Sequence, residues 1–338
     1  MRLAALVIAI ALIIGVAVAV MPAWRGNSSP PAEPPVVAPP PSPPPPPPPA
    51  PPSPWPNEPE LPGMVLVSIG NNRTARPQSG LEYADVVYEV LTEGGITRLL
   101  ALFGSRAASE VGPVRSMRYA MVEIALGYNS PFAHAGGSQD ALDLIKKLKP
   151  KSLDDIYGSG ACFWRASHRK APDNLYTSTE RLVEGAKARG YELVPLVRLP
   201  GGDLAGGEVA ERVVVAFSRQ VSAPNVVTYE FDGQAYRRLV NDAPHLVSSG
   251  EQLAPQNLLF LETVTRTVMR QELMLDIDVV GKGRALLVRD GRAHAGTWEK
   301  ASQSAQFSFK DEKGETFPFT WGQTWIHLLP DLKQVEYR

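Results

Sequence analysis

A proline-rich segment limits what this chain can fold into more than any other feature. Of the 33 prolines in the sequence, 20 fall between Pro30 and Pro62. Proline fixes φ and has no backbone N–H to donate, so a run of prolines forms neither helix nor sheet and adopts an extended polyproline II rod. At about 3.1 Å per residue, residues 30–62 would span roughly 100 Å. Residues 26–62 are therefore predicted to be a stiff linker, and a ligand for proline-binding domains is the alternative.

The segment before this linker is predicted to attach the protein to a membrane. Leu3–Trp24 contains no charged residue over 22 positions, and a helix of about 20 apolar residues crosses a bilayer core. Residues 1–25 are thus expected to form a single-pass anchor at the cell membrane, with the folded domains on its extracytoplasmic side. A cleavable signal peptide is the alternative, because Ala17–Ala19 has the small-x-small form of a cleavage site.

Charge and cysteine content exclude several classes of function. The net charge is −1, so nothing suggests the basic face of a nucleic-acid-binding protein. The lone cysteine, Cys162, permits no intrachain disulfide and no thiolate zinc cluster, and it is expected to be a buried or incidental residue. The five histidines are scattered and form no H-E-x-x-H motif. Neither a metal nor a cofactor is therefore predicted.

Residues 63–200 are predicted to form a mixed α/β domain that begins with a hairpin. Residues 84–103 place β-branched and apolar residues on both sides of a four-residue connection, Thr92–Gly95. With that loop length, Glu89 would face Arg98 across the two strands. The pair is either structural or a carboxylate and a guanidinium directed into a cleft.

Two arginines follow in a segment with helical spacing of apolar residues. Pro113 suits the first position of a helix, which would put Arg115 and Arg118 on its first turn. Cations there oppose the helix dipole. The arrangement indicates an anion held between the guanidinium groups and free backbone N–H groups. Two solvated arginines are the alternative.

The stretch PFAHAGGSQDA, residues 131–141, contains a histidine, a glycine turn and a helix start. Gly136 and Gly137 can adopt the backbone torsions of an anion-binding nest, and Ser138 is a good N-cap. His134 is either a site residue or a buried structural one. A donor-rich loop further along the chain adds Asn174 and Tyr176. The predicted anion site thus comprises Arg98, Arg115, Arg118, His134, Gly136, Gly137, Ser138, Asn174 and Tyr176.

Residues 205–338 are predicted to form a smaller, mainly β domain. Short β-branched runs are separated by turn signals such as Asp232-Gly233 and Asp290-Gly291. Phe317, Phe319 and Trp321 alternate as core residues of a strand do. The fold class expected for the whole chain is α+β.

Three long stretches resemble one known family. They read RPQSGLEYADVVYEVLTEGGITRLLALF, VGPVRSMRYAMVEIALGYNSPFAHAGGSQDAL and RKAPDNLYTS, and they are similar to the YerB-like family of bacterial lipoproteins, a domain of unknown function with N- and C-terminal parts. The resemblance implies an exported, membrane-attached protein with two folded domains and no known activity. Members of that family usually carry a lipid-attachment cysteine, whereas this chain has a hydrophobic segment and a proline rod instead.

Three functions fit these observations. The first is an envelope protein that binds an anionic ligand, such as a peptidoglycan group, without catalysis. The second is a hydrolase of cell-wall polymer, with Glu89 or Glu93 as acid or base and His134 as a proton shuttle. The third is a scaffold that binds another envelope protein. Whether the protein is an enzyme is left open by the sequence.

Overall fold

A computed structural model describes residues 60–220, 224–269 and 273–338. The predicted anchor, residues 1–25, and nearly all of the predicted linker lie outside the described residues. Within the described ranges, no helix is both long enough and apolar enough to span a bilayer.

Three α-helices occur in these ranges: α1, Tyr119–Tyr128; α2, Gln139–Leu148; and α3, Thr179–Ala188. The start of α2 directly after Ser138 is confirmed, although the Ser138 side chain makes no capping hydrogen bond. Ser178 caps α3, because its Oγ accepts from the Arg181 N–H at 3.2 Å.

Helix α1 begins six residues later than predicted. The backbone before it is extended, because the Arg115 N–H donates to the Ser68 carbonyl at 2.9 Å and the Met117 N–H donates to the Gly136 carbonyl at 3.0 Å. These bonds to neighbouring segments replace the helical ones expected after Pro113. Arg118 is the N-cap residue of α1, so the placement of Arg115 and Arg118 in the first turn was wrong.

Strands make up most of the remaining regular structure. In chain order they are β1 Val65–Gly70, β2 Val86–Leu91, β3 Thr97–Phe103, β4 Phe132–His134, β5 Ser152–Asp154, β6 Phe163–Arg165, β7 Leu175–Thr177, β8 Glu208–Val209, β9 Arg212–Ser218, β10 Asn225–Phe231, β11 Tyr236–Val240, β12 Ala243–Pro244, β13 Asn257–Glu262, β14 Thr265–Met269, β15 Leu273–Ile277, β16 Gly281–Arg289, β17 Arg292–Lys300, β18 Ser308–Asp311, β19 Thr324–Leu329 and β20 Val335–Tyr337.

The largest sheet has the strand order β18-β17-β16-β13-β19-β2-β3-β1-β4-β5, with β8 also paired to β17. Strands β13, β19, β2, β1, β4 and β5 run in one direction, since β3 is antiparallel to both β1 and β2. We call the side where these six strands end the carboxyl edge. A second, antiparallel sheet has the order β12-β11-β10-β9-β20. The α+β class is confirmed.

The division into domains at residues 63–200 and 205–338 stays a prediction. Strands from both ranges lie side by side in the large sheet, because β19 pairs with β2. In the second range, Phe317 and Phe319 are buried, as their alternation predicts, while Trp321 is exposed.

The register of the β2–β3 hairpin differs from the predicted one. Glu89 lies opposite Leu99, and Arg98 lies opposite Val90. The reason is the loop: the Thr92 N–H donates to the Ile96 carbonyl at 2.8 Å, which leaves a connection of three residues instead of four. A shift of one residue moves a side chain to the other face of a sheet. The predicted Glu89–Arg98 pair was therefore wrong.

Candidate functional site

Three of the predicted arginines lie at the carboxyl edge, where ligands of open α/β sheets bind. Arg98 is the second residue of β3 and pairs with Gly70, the last residue of β1. The Arg115 side chain passes over Gly70, where a Cβ would stand 2.9 Å from Arg115 Cγ. Arg118 immediately precedes α1. We refer to Arg98, Arg115 and Arg118 as the arginine cluster.

Arg98 is a buried cation without a bound partner. The residue is only 4% exposed, and its Nε and Nη1 have no hydrogen-bond acceptor in the described part of the chain. Burial, together with the charges of Arg118 and Arg115, lowers the pKa of Arg98 to about 9. The side chain therefore stays protonated at neutral pH. An unsatisfied buried donor costs roughly 1–3 kcal/mol, and more when it is charged.

Arg118 is held by Glu93, one of the two candidate acids or bases. Its Nη2 donates to Glu93 Oε2 at 2.9 Å, and its Nε donates to Glu93 Oε1 at 3.2 Å. Nη1 donates to Ser116 Oγ at 2.9 Å. Glu93 lies at the tip of the β2–β3 hairpin, beside two glycines with positive φ, Gly94 and Gly95. Its carboxylate is thus the internal counter-ion of Arg118.

Arg115 has a looser partner, Asp173, which the sequence analysis did not include in the site. Arg115 Nη1 lies 3.4 Å from Asp173 Oδ1, and neither atom makes a hydrogen bond within the described residues. The other carboxylate oxygen accepts from Thr74 Oγ1 at 2.6 Å and from Asn72 Nδ2 at 3.4 Å. Three guanidinium groups thus meet two carboxylates, and the arrangement carries a net positive charge.

The starts of α1 and α2 lie side by side next to this cluster. The Met117 N–H donates to the Gly136 carbonyl at 3.0 Å, and the Ser138 N–H donates to the Met117 carbonyl at 3.1 Å. The Ser138 hydroxyl is buried and has no partner in the described ranges. Because helix N-termini favour negative charge, they reinforce the positive potential of the arginines.

The glycine turn does not supply the predicted anion nest. Gly136 has the expected positive φ of 62°, but its N–H donates to Asp154 Oδ1 at 2.8 Å. Gly137 lies against the Met117 carbonyl, which would stand 3.3 Å from an added Cβ. The turn brings α2 beside Arg118 and uses the N–H of Gly136 within the chain.

His134 belongs to the structural support of this turn. It is fully buried, and its Nδ1 lies 2.8 Å from the Gly136 carbonyl oxygen while its Nε2 lies 2.8 Å from Ser152 Oγ. Burial lowers the pKa of His134. Both ring nitrogens are engaged within the chain, so the structural interpretation of this histidine fits better than a proton shuttle.

Asn174 and Tyr176 make no hydrogen bond to the arginine cluster among the described residues. Asn174 Oδ1 accepts from Arg165 Nη1 at 3.4 Å. Tyr176 is buried with its ring 6.4 Å from that of Trp164. The loop that carries them contributes to the cluster through Asp173.

Glu89 lies on the opposite face of the sheet, inside a closed network. Its Oε2 is 2.9 Å from Arg238 Nη2 and 3.2 Å from His327 Nδ1, and its Oε1 accepts from Thr97 Oγ1 at 2.7 Å and from Asn71 Nδ2 at 3.1 Å. Burial alone would raise the pKa of Glu89, but Arg238, His327 and Thr97 lower it to about 2. Glu89 is therefore a permanent carboxylate enclosed in the protein.

Arg238 extends this network into the antiparallel sheet. It is fully buried, its Nε donates to His245 Nδ1 at 2.9 Å, and its guanidinium lies 4.3 Å from the Trp325 ring. His245 Nε2 in turn lies 2.9 Å from Gln78 Oε1. The network ties β2 of the large sheet to β11 of the second sheet, which is a structural task.

The described residues contain no group of three His, Cys, Asp or Glu side chains placed to hold a metal ion. Cys162 is buried, as expected.

Two family models match this chain. They are "Protein of unknown function (DUF3048) N-terminal domain" over residues 55–192 and the DUF3048 C-terminal domain over residues 213–326. The chain is similar to "Putative lipoprotein YerB" of Bacillus subtilis (strain 168), with 33% identity over 279 residues, which cover 79% of this chain and 81% of that protein. The crystal structure of YerB protein from Bacillus subtilis matches with a TM-score of 0.74 and 31% identity, over 82% of this chain and 93% of that chain.

Proposed function

The chain belongs to the family defined by the DUF3048 N- and C-terminal domains, and on this basis we propose that it is a membrane-attached, extracytoplasmic protein that binds an anionic ligand without catalysis. The lipoprotein name of its Bacillus relative supports membrane attachment. In this chain, Leu3–Trp24 would provide the attachment.

The observation that carries the proposal is the unpaired guanidinium of Arg98. A buried cation without a hydrogen-bond acceptor lowers the free energy of unfolding. The charges of Glu93 and Asp173 favour the protonated guanidinium, but burial and the charges of Arg118 and Arg115 outweigh them. Arg115, whose ion pair with Asp173 is long, and Arg118 lie beside it. A bound anion would satisfy these donors and offset the mutual repulsion of the three cations.

The ligand class follows from the chemistry of guanidinium. Its planar fork of N–H donors matches carboxylate and phosphate oxygens in a bidentate manner. Peptidoglycan carries carboxylates in the compartment where we place the folded residues, so we take it as the partner to test first.

A hydrolase fits the geometry less well. A glycosidase needs two carboxyl groups that face one cleft. Glu89 is enclosed on one face of the sheet, whereas Glu93 is bound to Arg118 at the hairpin tip. His134, the proposed shuttle, has both ring nitrogens engaged.

Loss of Arg115 and Arg118 together is expected to weaken ligand binding strongly. In a pull-down with purified peptidoglycan, the full-length chain in non-ionic detergent should sediment, and Arg115→Ala/Arg118→Ala should bind about 10- to 100-fold more weakly, because a charged hydrogen bond is worth about 1.5–3 kcal/mol. If the arginines recognise the anionic group of the ligand, inorganic phosphate should compete with peptidoglycan for binding to the wild-type protein.

The matched control removes the same charge elsewhere. Arg219 and Arg237 form exposed ion pairs with Glu336 and Asp232, so Arg219→Ala/Arg237→Ala should bind like the wild type. If both double variants lose the same binding affinity, the protein binds through its overall charge and not through the arginine cluster. A wild type that does not sediment would refute peptidoglycan as the ligand.

A further inference from the structure

A cavity of about 540 Å³ lies between the turn that follows β1 and strands β10–β12 of the antiparallel sheet. That volume is within the range of small-molecule sites, about 300–1,000 Å³. The cavity adjoins the arginine cluster without sharing an arginine with it. Asn72 connects the two places, because it lines the cavity and donates to Asp173.

The charge of the cavity is one-sided. Two arginines, Arg73 and Arg76, line it, and no aspartate or glutamate does among the residues that the structure describes. Arg73 is exposed and makes no hydrogen bond or ion pair within the described residues. Arg76 donates through Nη2 to the Asn71 carbonyl at 3.1 Å, and its Nε has no partner there. Burial, followed by the charges of Arg238 and Arg73, lowers the pKa of Arg76. An anion in the cavity would relieve this repulsion.

The neutral part of the lining has the chemistry of a peptide-binding surface. Four carboxamides and four aliphatic residues complete the wall: Asn71, Asn72, Asn225, Asn241, Ile96, Pro224, Val240 and Ala243. Carboxamides donate and accept hydrogen bonds as peptide groups do. Those of Asn71 and Asn241 are engaged within the chain through both Nδ2 and Oδ1, so recognition of a peptide would depend on Asn72 and Asn225. Since no aromatic ring lines the cavity in the described part of the chain, flat rings gain no stacking partner from these residues.

Asn225 provides a second, independent sign of a missing ligand group. The residue is 6% exposed. Its Nδ2 donates to the Gly95 carbonyl at 3.1 Å, while its Oδ1 has no donor in the described part of the chain. Buried acceptors are normally satisfied, and a peptide N–H at this wall would supply the missing donor.

We propose that this cavity binds a short peptide with small aliphatic side chains and a free terminal carboxylate. Arg73 and Arg76 hold the carboxylate, the Asn225 carboxamide accepts from a peptide N–H, and Ile96 and Val240 contact the side chains. The site is separate from the arginine cluster, so either proposal can fail without the other.

Isothermal titration of the full-length chain in non-ionic detergent tests the proposal. N-acetyl-alanyl-alanine should bind, and its C-terminal amide should bind at least about tenfold more weakly, since it lacks the charge that the arginines recognise. Arg73→Ala should weaken binding of the acid to the same degree. Arg237→Ala, which removes an exposed arginine of neighbouring β11, should leave it unchanged.

Several outcomes would overturn the proposal. They are equal binding of acid and amide, unchanged binding by Arg73→Ala, and equally tight binding of glucuronate, which would make this a general anion site. If Arg115→Ala/Arg118→Ala loses the peptide while Arg73→Ala retains it, the peptide belongs to the arginine cluster. Given binding, the L,L and D,D forms of the dipeptide distinguish a protein tail from a cell-wall peptide as its source.

Discussion

Glu89→Gln is expected to lower the free energy of unfolding by about 3–5 kcal/mol, the range seen when one partner of a buried ion pair is removed. Glu89 and Arg238 are both fully buried, with 2.9 Å between Oε2 and Nη2. The substitution leaves the Arg238 charge inside the protein without a counter-ion. Urea denaturation followed by circular dichroism measures the change.

The control for this variant is an exposed ion pair of the same type. Glu336 pairs with Arg219 at the surface, so Glu336→Gln should change the free energy of unfolding by less than about 1 kcal/mol. Similar losses for both variants would show that the buried pair contributes no more than a surface one, contrary to the interpretation of Glu89 as a structural carboxylate.

The pH dependence of the free energy of unfolding distinguishes loss of the Glu89 charge from a change in side-chain packing. The folded state lowers the pKa of Glu89 from 4.5 to about 2, so the stability that the carboxylate contributes is complete above about pH 4.5. It is lost as the pH falls towards 2, and the difference is on the order of 3 kcal/mol. Glu89→Gln should remove this part of the acid dependence. If the free energy of unfolding of the variant falls with decreasing pH as it does in the wild type, Glu89 is not the source of that dependence.

The sequence was sufficient for local structure and insufficient for contacts between distant segments. The start of α2 could be placed from Ser138, because N-cap preferences act within one turn. The start of α1 could not, since Arg115 and Met117 hydrogen-bond to Ser68 and Gly136. Long-range pairing thus overrode a local proline signal.

The same distinction applies to the site. Grouping Arg98, Arg115 and Arg118 was possible because all three come from neighbouring segments, although the helix dipole argument behind it placed two of them incorrectly. The partner of Glu89 could not be inferred, since Arg238 lies 149 positions away. The hairpin register depended on a loop of three residues instead of four, and this single residue decided that Glu89 and Arg98 lie on opposite faces of the sheet.

Arg98→Met is expected to raise the free energy of unfolding by about 1–3 kcal/mol, the cost usually attributed to a buried donor that lacks an acceptor. Methionine keeps the length and the apolar stem of the side chain and removes the unpaired charge. The same variant should bind the anionic ligand at least about tenfold more weakly, because the guanidinium that the ligand would satisfy is gone.

Opposite changes in stability and binding are the signature of a residue kept for function. Urea denaturation without ligand and the peptidoglycan pull-down measure the two effects on one preparation. Arg289 is a suitable comparison, since it is similarly buried but donates through Nη1 to the Gly202 and Pro318 carbonyls at 2.8 Å. Arg289→Met should destabilise the protein and leave binding unchanged. A loss of stability in Arg98→Met would show that Arg98 is satisfied without a ligand, and the anion site would lose its main support.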